Sequence, residues 1–418
     1  MRQSPRVLAH NRTTLLRLIR DHGPLPRVEL AARSGLSPTT VTRAMGELLD
    51  AGYVAEVDGD HGGTRGGRVG RPAIDVALVP SARFVCAVQV GVGTAGVAVC
   101  DLLAHVVAED TVGFGRDDPP EAVLDAIVAG LESLLERARI PSERLVGVGV
   151  GAPGPVDRAQ RVNLLSINLG WRDVPFSDRL ERALGVPTVV DHNVRAMAVA
   201  EALYGVGRDA NTLAFVYSKS GVGAGLVVDG QPYRGGTHGV TELGHLRVVG
   251  GDRPCACGST GCLETVASEG YVSERAAELA AADPDGPLAA AAAAGRSPLQ
   301  ALPAAAEAGD PGAVAILDEV ARHLATALAS LVNLINTELI VLGGFFSDAG
   351  DPLLRPLREE LRRQAFPVLR DSVRVERTSF GRLVGVVGAA AVALDRFVYG
   401  TPIGLTLKEE HLRTEIAP

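Results

Sequence analysis

Three of the chain's five cysteines stand within eight positions, in the stretch RPCACGSTGCLET at residues 253–265. Cys255, Cys257 and Cys262 offer three sulfur ligands, and His245, ten residues upstream, offers a nitrogen ligand. Zinc in structural sites is held by four such ligands in a tetrahedron, commonly three cysteines and one histidine. The stretch therefore predicts one structural zinc ion per chain. Because the Cys-x-Cys spacing is tighter than that of the commonest zinc fingers, spacing alone leaves reactive thiols or a fortuitous cluster as alternatives.

The expected cellular compartment bears on that choice. The N-terminal sequence MRQSPRVLAHNRTTLLRLIRDHG breaks every apolar run with Arg, His or Asp, unlike a signal peptide. The longest uncharged apolar stretch, Leu383–Leu394, is shorter than the ~20 residues that cross a bilayer. We therefore expect a cytoplasmic protein that makes no membrane contact. Thiols stay reduced in the cytosol, which favours a metal or catalytic role for the cluster, whereas Cys86 and Cys100 lie in apolar strands and are expected in the core.

The charge distribution separates the first 80 residues from the rest. With 418 residues, of which 46% are hydrophobic, the chain is long enough for two or three domains. Residues 1–80 contain 11 Arg, no Lys and 8 acidic residues, a net +3, which leaves −11 for the remainder of a chain whose total is −8. A mildly basic head on an acidic body suits a nucleic-acid contact confined to the head.

The head has the pattern of a helix-turn-helix. A short helix leads into a turn at Ser34-Gly35, after which Ser37 is placed to cap a second helix with Pro38 in its first turn. The apolar residues of the second helix share one face, and an upstream helix over about 11–21 would complete a three-helix core. The second helix of such a motif enters the major groove of DNA. The predicted DNA contacts on this helix are Ser37, Thr39, Thr40, Thr42 and Arg43.

A wing is predicted directly after these helices. Two short strands, over 53–57 and 73–78, flank a glycine-rich loop that contains Arg65, Arg68 and Arg71. Arginines in such a loop reach phosphates or a narrow minor groove. The alternative is a protein-interaction module with a flexible hairpin. Helix spacing, cap, turn and wing together favour a winged helix-turn-helix DNA-binding domain over residues 1–80.

The body alternates apolar strands with helices in two α/β halves. We place a first lobe at 81–205 and a second lobe at 206–384, with the zinc motif and oligomerisation helices in the second. A closing helix at about 385–400 is expected to pack back on the first lobe. Glycine turns at strand ends suggest a cleft that held phosphates or a sugar, although glycine-rich loops alone are weak signals.

Several motifs of the body resemble the ROK family of sugar kinases and sugar-responsive repressors. They are GVGVGAPGPVD, NLGW, DHNVRAMAVAE and SGVGAGLVVDGQPYRGGTHGVTELGHL, followed by CACGSTGCLE. The similarity spans nearly the whole chain, and the winged head is similar to that of the family's transcriptional regulators. The resemblance implies a two-lobed, actin-like (ribonuclease H-like) α/β body behind the winged helix-turn-helix.

The resemblance also implies roles for individual residues. It assigns the zinc ligands as His245, Cys255, Cys257 and Cys262, with the other side of the His245 ring facing a sugar. Two carboxylates, Glu242 and Glu264, would accept hydrogen bonds from sugar hydroxyls. The implied sugar-binding set is Gly154, His192, Asn193, Glu242, His245 and Glu264.

Two departures from the family's kinases concern catalysis. The kinases use an Asn-Asp pair whose acid is the base for the attacking hydroxyl, and the matching pair here is His192-Asn193. Asparagine does not accept a proton at neutral pH. The first phosphate loop of the kinases, Asp-x-Gly-Gly-Thr, reads QVGVGT here, with Gln89 in place of the acid. Kinase activity is therefore not expected, although an ATP-dependent sugar kinase with an added DNA-binding head, in which Asp191 replaces the base, stays an alternative.

The sequence thus predicts a sugar-responsive, zinc-containing transcriptional repressor. Its expected partners are operator DNA and a small sugar effector, and a homodimer or homotetramer would match a palindromic operator. A regulator controlled by a partner protein is a further alternative. Sugar-dependent release of DNA without an added protein separates the two.

Overall fold

The computed structural model describes residues 5–58, 74–115, 117–236, 239–248 and 253–400. The predicted arginines of the wing loop, Arg65, Arg68 and Arg71, lie outside these residues. Within them the chain forms a small head and two α/β lobes.

The head is a three-helix core with a three-stranded antiparallel sheet of order β1-β3-β2. Ser37 caps the third helix, because its side chain accepts a hydrogen bond from the Thr40 N–H at 3.2 Å. Apolar residues from all three helices form the core, including Leu15, Leu30 and Met45, each fully buried. The elements of the head are α1 (Pro5–His22), β1 (Leu25–Pro26), α2 (Arg27–Ser34), α3 (Pro38–Asp50), β2 (Val54–Asp58) and β3 (Ile74–Leu78).

The first lobe is built on a five-stranded mixed sheet of order β10-β7-β4-β5-β6. A two-stranded hairpin, β8-β9, precedes the last strand. Its elements are β4 (Phe84–Val90), β5 (Thr94–Asp101), β6 (Val106–Gly113), α4 (Pro120–Arg137), β7 (Leu145–Ala152), β8 (Asn163–Ser166), β9 (Trp171–Val174), α5 (Phe176–Leu184), β10 (Thr188–His192) and α6 (Asn193–Tyr204).

The second lobe repeats this topology. Its sheet has the order β13-β12-β11-β14-β15, so each sheet places its first strand in the centre, two antiparallel strands on one side and two parallel strands on the other. Its elements are β11 (Leu213–Ser218), β12 (Val222–Val228), β13 (Gln231–Pro232), α7 (Glu264–Ala267), α8 (Glu269–Ala282), α9 (Pro287–Ala293), α10 (Pro298–Glu307), α11 (Pro311–Ile335), β14 (Leu339–Gly344), α12 (Phe345–Asp348), α13 (Asp351–Gln364), α14 (Pro367–Arg370) and β15 (Arg374–Arg377).

The last helix, α15 (Val384–Phe397), returns to the first lobe and packs on α6, β4 and β7. Two glycines permit this close approach. A Cβ on Gly149 of β7 would lie 1.9 Å from the carbonyl oxygen of Ala389, and one on Gly388 would lie 2.8 Å from the backbone of Ala196. Any larger residue at either position would push α15 off the sheet or off α6.

The head is packed against the body as well as joined to it. Arg20 of α1 lies over the ring of Tyr204 at the end of α6 and over that of Tyr399 just after α15. The hydroxyl of Tyr399 donates a 2.5 Å hydrogen bond to the carbonyl of Leu102. The ends of both helices therefore meet the head at one place. Among the described residues, no helix is long and apolar enough to cross a membrane.

Candidate functional site

The four predicted zinc ligands come together in the second lobe. The ligand atoms of His245, Cys255, Cys257 and Cys262 all lie within 4.8 Å of one another. The Cys257 and Cys262 sulfurs are 3.8 Å apart, and the Cys255 sulfur is 3.6 Å from Nδ1 of His245. Zn–S bonds of about 2.3 Å at tetrahedral angles place two sulfurs about 3.8 Å apart. The donor set and its spacing therefore fit a tetrahedral zinc ion.

Local backbone geometry brings these thiols together. Gly258 and Gly261 adopt positive φ angles of 89° and 71°, which reverse the chain between Cys257 and Cys262. The Ser259 N–H bonds to the Cys257 sulfur and lowers the pKa of that thiol, which favours the thiolate that binds metal. Burial raises the pKa of the Cys255 thiol. A bound cation would offset that cost by stabilising the anion.

The ring of His245 separates the thiols from a carboxylate. Its Nδ1 faces Cys255, whereas its Nε2 is 3.9 Å from a carboxylate oxygen of Glu242. Glu264 lies on the metal side, with one oxygen 3.0 Å from the Cys255 sulfur and 3.8 Å from Nδ1 of His245. A Cβ on Gly244 would meet the Val222 carbonyl at 2.0 Å, so only glycine lets the turn that carries Glu242 and His245 lie against β12. The cluster is thus fixed beside the strand that faces the first lobe.

A cavity of about 600 Å³ opens between the lobes beside this cluster. It lies at the carboxyl ends of the parallel strands β7 and β10, where open α/β sheets usually bind ligands. Burial raises the pKa of Glu242, one of its two carboxylates. All six predicted sugar-binding residues line it, namely Gly154, His192, Asn193, Glu242, His245 and Glu264.

The predicted His192-Asn193 pair forms the start of α6. Burial, together with the charge of Arg195, lowers the pKa of His192 to about 3, so its ring is neutral at pH 7. Its Nδ1 finds no hydrogen-bond partner among the described residues. Asn193 uses Oδ1 to accept from the N–H of Val194 at 2.8 Å. Both residues can hydrogen-bond a ligand, and neither supplies a carboxylate base.

Asn168 is among the cavity residues to which the sequence analysis assigned no role. Asn168, in the NLGW motif, lines the cavity, and its Nδ2 lies 3.7 Å from the Cβ position of Gly221. The same Cβ position is 3.0 Å from a Glu264 oxygen, so Asn168 and Glu264 flank the turn at Gly221. The motif itself was the available signal, but only the fold shows that this segment folds back over the cavity.

Asp191, the alternative kinase base, is placed elsewhere. It is fully buried and is not among the cavity-lining residues. It bonds Arg195 and Arg234, the latter at 3.3 Å, and the N–H of His192 at 2.7 Å. Burial raises its pKa, but the two arginines outweigh burial and hold the pKa below its ordinary value. A carboxylate in this state is a weak base with no path to a substrate hydroxyl.

The predicted DNA-reading face stands at the start of α3. Ser37, Thr39, Thr42 and Arg43 are exposed, and Thr40 is half-buried, bonded through its N–H to the Ser37 cap. The opposite face holds the fully or almost fully buried Val41 and Met45. The exposed face does not pack in the head's core. It presents small hydroxyls and a cation, as a recognition helix does.

A second, larger surface groove of about 950 Å³ lies around α13 and β15. Five arginines and five carboxylates line it, so its charge is balanced. No predicted site residue lies there.

Comparisons with known proteins divide the chain into the same head and body. Residues 85–396 match the ROK family, and residues 8–55 match a winged helix-turn-helix DNA-binding family. The chain is 30% identical to the DNA-binding transcriptional repressor Mlc of Escherichia coli over 91% of this chain and 92% of that protein. It is 32% identical to a glucokinase of Halalkalibacterium halodurans over 74% of this chain and 94% of that protein.

A solved structure shares the whole architecture. A ROK family transcriptional regulator, described as a homolog of the E. coli Mlc protein, superposes with a TM-score of 0.79 at 27% identity, covering 94% of this chain and 98% of that one. The predicted fold class, a winged helix-turn-helix before a two-lobed sugar-kinase-like body, is therefore confirmed.

Proposed function

Because this chain belongs to the ROK family and carries a winged helix-turn-helix head, we propose that it is a sugar-responsive transcriptional repressor whose cavity between the lobes binds the effector. One observation carries the proposal: Glu242, His245 and Glu264 line a cavity together with Asn193, which stands where the family resemblance places the base of the kinases. Hydrogen-bond acceptors for a sugar are kept without the group that would activate its hydroxyl. The cavity then serves to bind a sugar and not to phosphorylate it.

The zinc ion would act in this site as a fixed support. His245, Cys255, Cys257 and Cys262 would hold it, and a bound cation would lock the His245 ring with Nε2 turned toward Glu242. The chain's own groups then bind and orient the sugar: Glu242 and Glu264 accept from its hydroxyls, and Asn168, His192 and Asn193 complete the polar lining.

A thermal-shift screen followed by operator release tests the function. Purified protein is screened with D-glucose, D-xylose, N-acetyl-D-glucosamine and their phosphates, and any ligand that raises the melting temperature is added to the complex with operator DNA. Release of the DNA without an added protein supports the proposal. Stabilising ligands that leave the DNA bound would instead favour a regulator controlled by a partner protein.

We expect no hexose phosphorylation by the wild-type protein with ATP. Asn193 accepts no proton, and Asp191 is committed to two arginines. A coupled ADP-release assay with hexose and ATP is the measurement, with an authentic glucokinase as the positive control. Turnover on the order of 1 per second, within the usual range for kinases, would favour the enzyme alternative.

Arg43→Ala is expected to weaken specific DNA binding by about 1–3 kcal/mol if Arg43 reads a base edge. Arg33→Ala is the matched control, because Arg33 is an exposed arginine of α2 whose Nε bonds Glu29 of the same helix at 2.9 Å. Fluorescence anisotropy with operator and random duplexes at several salt concentrations is the measurement. Equal losses for both variants on both duplexes would show that Arg43 does not read a base edge.

The repressor is proposed to act as a homodimer or homotetramer on a palindromic operator. Sedimentation velocity of the free protein and of its DNA complex measures the number of chains. A monomer that binds a single half-site would contradict this assembly.

A further inference from the structure

The buried position of Arg20 is costly for a residue of a DNA-binding head. Its side chain is only 5% exposed, with its guanidinium 5.6 Å from the centre of the Tyr204 ring and 4.5 Å from that of Tyr399. Nε bonds Asp21 at 2.7 Å, while Nη1 finds no acceptor among the described residues. Burial alone would lower the pKa of Arg20, but Tyr204, Asp21 and Tyr399 more than offset burial and hold the pKa above its ordinary value, so the cation is fixed where the head meets the body.

Both rings stand at the far ends of helices that begin at the cavity. His192 and Asn193, where α6 begins, line the cavity, as do Gly385 and Val386 at the start of α15. Helices of 12 and 14 residues span about 18 and 21 Å. They pack closely, since a Cβ on Gly388 would already touch the backbone of α6. The two helices therefore form a stiff pair between the cavity and Arg20.

Both segments that cross between the lobes begin near the Tyr204 end of this pair. The chain crosses between the lobes twice, after Tyr204 and again between β15 and α15. The buried Glu201 bonds both crossings: it accepts from the N–H of Val206 at 3.1 Å and from Thr378 and Ser379 at 2.6–2.9 Å. Glu201 is one helical turn from Tyr204, so the starts of both crossings are tied together close to the helix end that Arg20 covers.

The first crossing also bonds the head directly. Arg208, in the segment after Tyr204, donates to the main-chain carbonyl of Asp21 at the end of α1. Arg20 and Asp21 therefore hold the tail of α1 against both helix ends and against a crossing segment. Because Arg208 lies in a crossing segment, a change in the angle between the lobes that moves this segment would also move the tail of α1.

We infer that the head is docked on the hinge, and that Arg20 is the positioning residue through which the state of the cavity sets the orientation of the DNA-binding head. This inference rests on the proposed function for the identity of the signal. Arg20 contacts neither the predicted DNA-binding residues of α3 nor the residues that line the cavity. It acts by coupling them: closing the lobes on an effector moves the stiff pair of α6 and α15, with the rings of Tyr204 and Tyr399 at its end, and carries α1 with it.

Arg20→Met is the test variant, because methionine keeps an unbranched side chain between the rings and removes the charge. Arg12→Met is the matched control, since Arg12 lies on the same helix but bonds Glu47 within the head, at 3.1 Å. The operator is selected from random duplexes with the wild-type protein. Operator affinity is measured with and without D-glucose, D-xylose or N-acetyl-D-glucosamine, and sugar affinity is measured by calorimetry.

Arg20→Met should bind operator and sugar within about threefold of wild type, while the sugar-induced change in operator affinity falls from about tenfold or more to less than twofold. Arg12→Met should keep the full change. Arg20→Met that responds as fully as wild type would overturn the inference. A sugar that binds the wild type without changing its operator affinity contradicts the proposed function instead.

A second readout decides the inference without any effector. Amide hydrogen exchange is measured at Val206 and Ser379, whose N–H groups donate hydrogen bonds to the Glu201 carboxylate. Loss of the docked head should speed their exchange by about tenfold in Arg20→Met and leave it unchanged in Arg12→Met. Unchanged hinge exchange in Arg20→Met would show that the head is not coupled to the hinge, whatever the sugars do.

Discussion

Cys257→Ala protein is expected to purify with almost no zinc, whereas the wild type is expected to purify with about one zinc per chain. Cys257 is the exposed member of the four, so its loss removes a ligand without opening a cavity in the core. Its sulfur is 3.8 Å from that of Cys262, the separation that a shared tetrahedral ion requires. Elemental analysis of the purified proteins measures the metal content.

The same substitution should loosen the effector site and spare the head. Without the metal, the segments that carry His245 and Glu264 lose their common anchor, and the melting temperature of the body should fall by at least about 5 °C, the effect of a few kcal/mol in a domain of this size. Cys100→Ala is the control, because Cys100 is fully buried in β5 and far from the cluster in sequence. Full zinc in Cys257→Ala, or its loss from Cys100→Ala, would refute the assignment.

Glu264→Gln should hold the operator at effector concentrations that release the wild type. The change keeps the shape of the side chain and removes the charge that strengthens its hydrogen bonds to sugar hydroxyls. A hydrogen bond to a charged group contributes about 1.5–3 kcal/mol and one to a neutral amide oxygen about 0.5–1.5 kcal/mol, so the change costs about 1–1.5 kcal/mol and the effector concentration for half release should rise about 5- to 13-fold. Operator release followed by anisotropy is the measurement.

The control for this variant is Glu274→Gln, which removes an exposed carboxylate of α8 that does not line the cavity. Both variants should keep zinc and bind operator as the wild type does when no effector is present. A Glu264→Gln protein that is released at wild-type effector concentrations would move the effector site away from this cavity.

The features that could be predicted best from the sequence are those set by residues close together in the chain. The Ser37 cap, the turn at Gly35 and the apolar face of α3 all depend on residues within a few positions, and the helix begins and ends within two residues of that pattern. The four predicted zinc ligands lie within 18 residues, and the structure brings their donor atoms together. Short-range geometry fixes such features whatever the rest of the chain does.

Features made by distant residues could not be found in this way. The strand β15 and the hairpin β8-β9 are short and carry no strong alternation, so sequence patterns did not predict them. The place of Asn168 depends on how that hairpin folds back over the cavity. In the sequence, nothing distinguishes Arg20 from the surface arginines of a basic head. Only its tertiary contacts with residues 204 and 399 show that it is buried.

The return of α15 to the first lobe has a consequence for the order of synthesis. The last strand of that lobe ends at His192, and α15 begins 192 residues later, at Val384. At about 5–20 residues per second, a ribosome needs ~10–40 s to reach it. During that interval β4 and β7 lack the helix that covers them, and Arg20 lacks Tyr399. A nascent or C-terminally shortened chain thus carries a finished DNA-binding head before it has the surface on which that head docks. Completion of the last helix is therefore the step that makes a regulated molecule from a DNA-binding fragment.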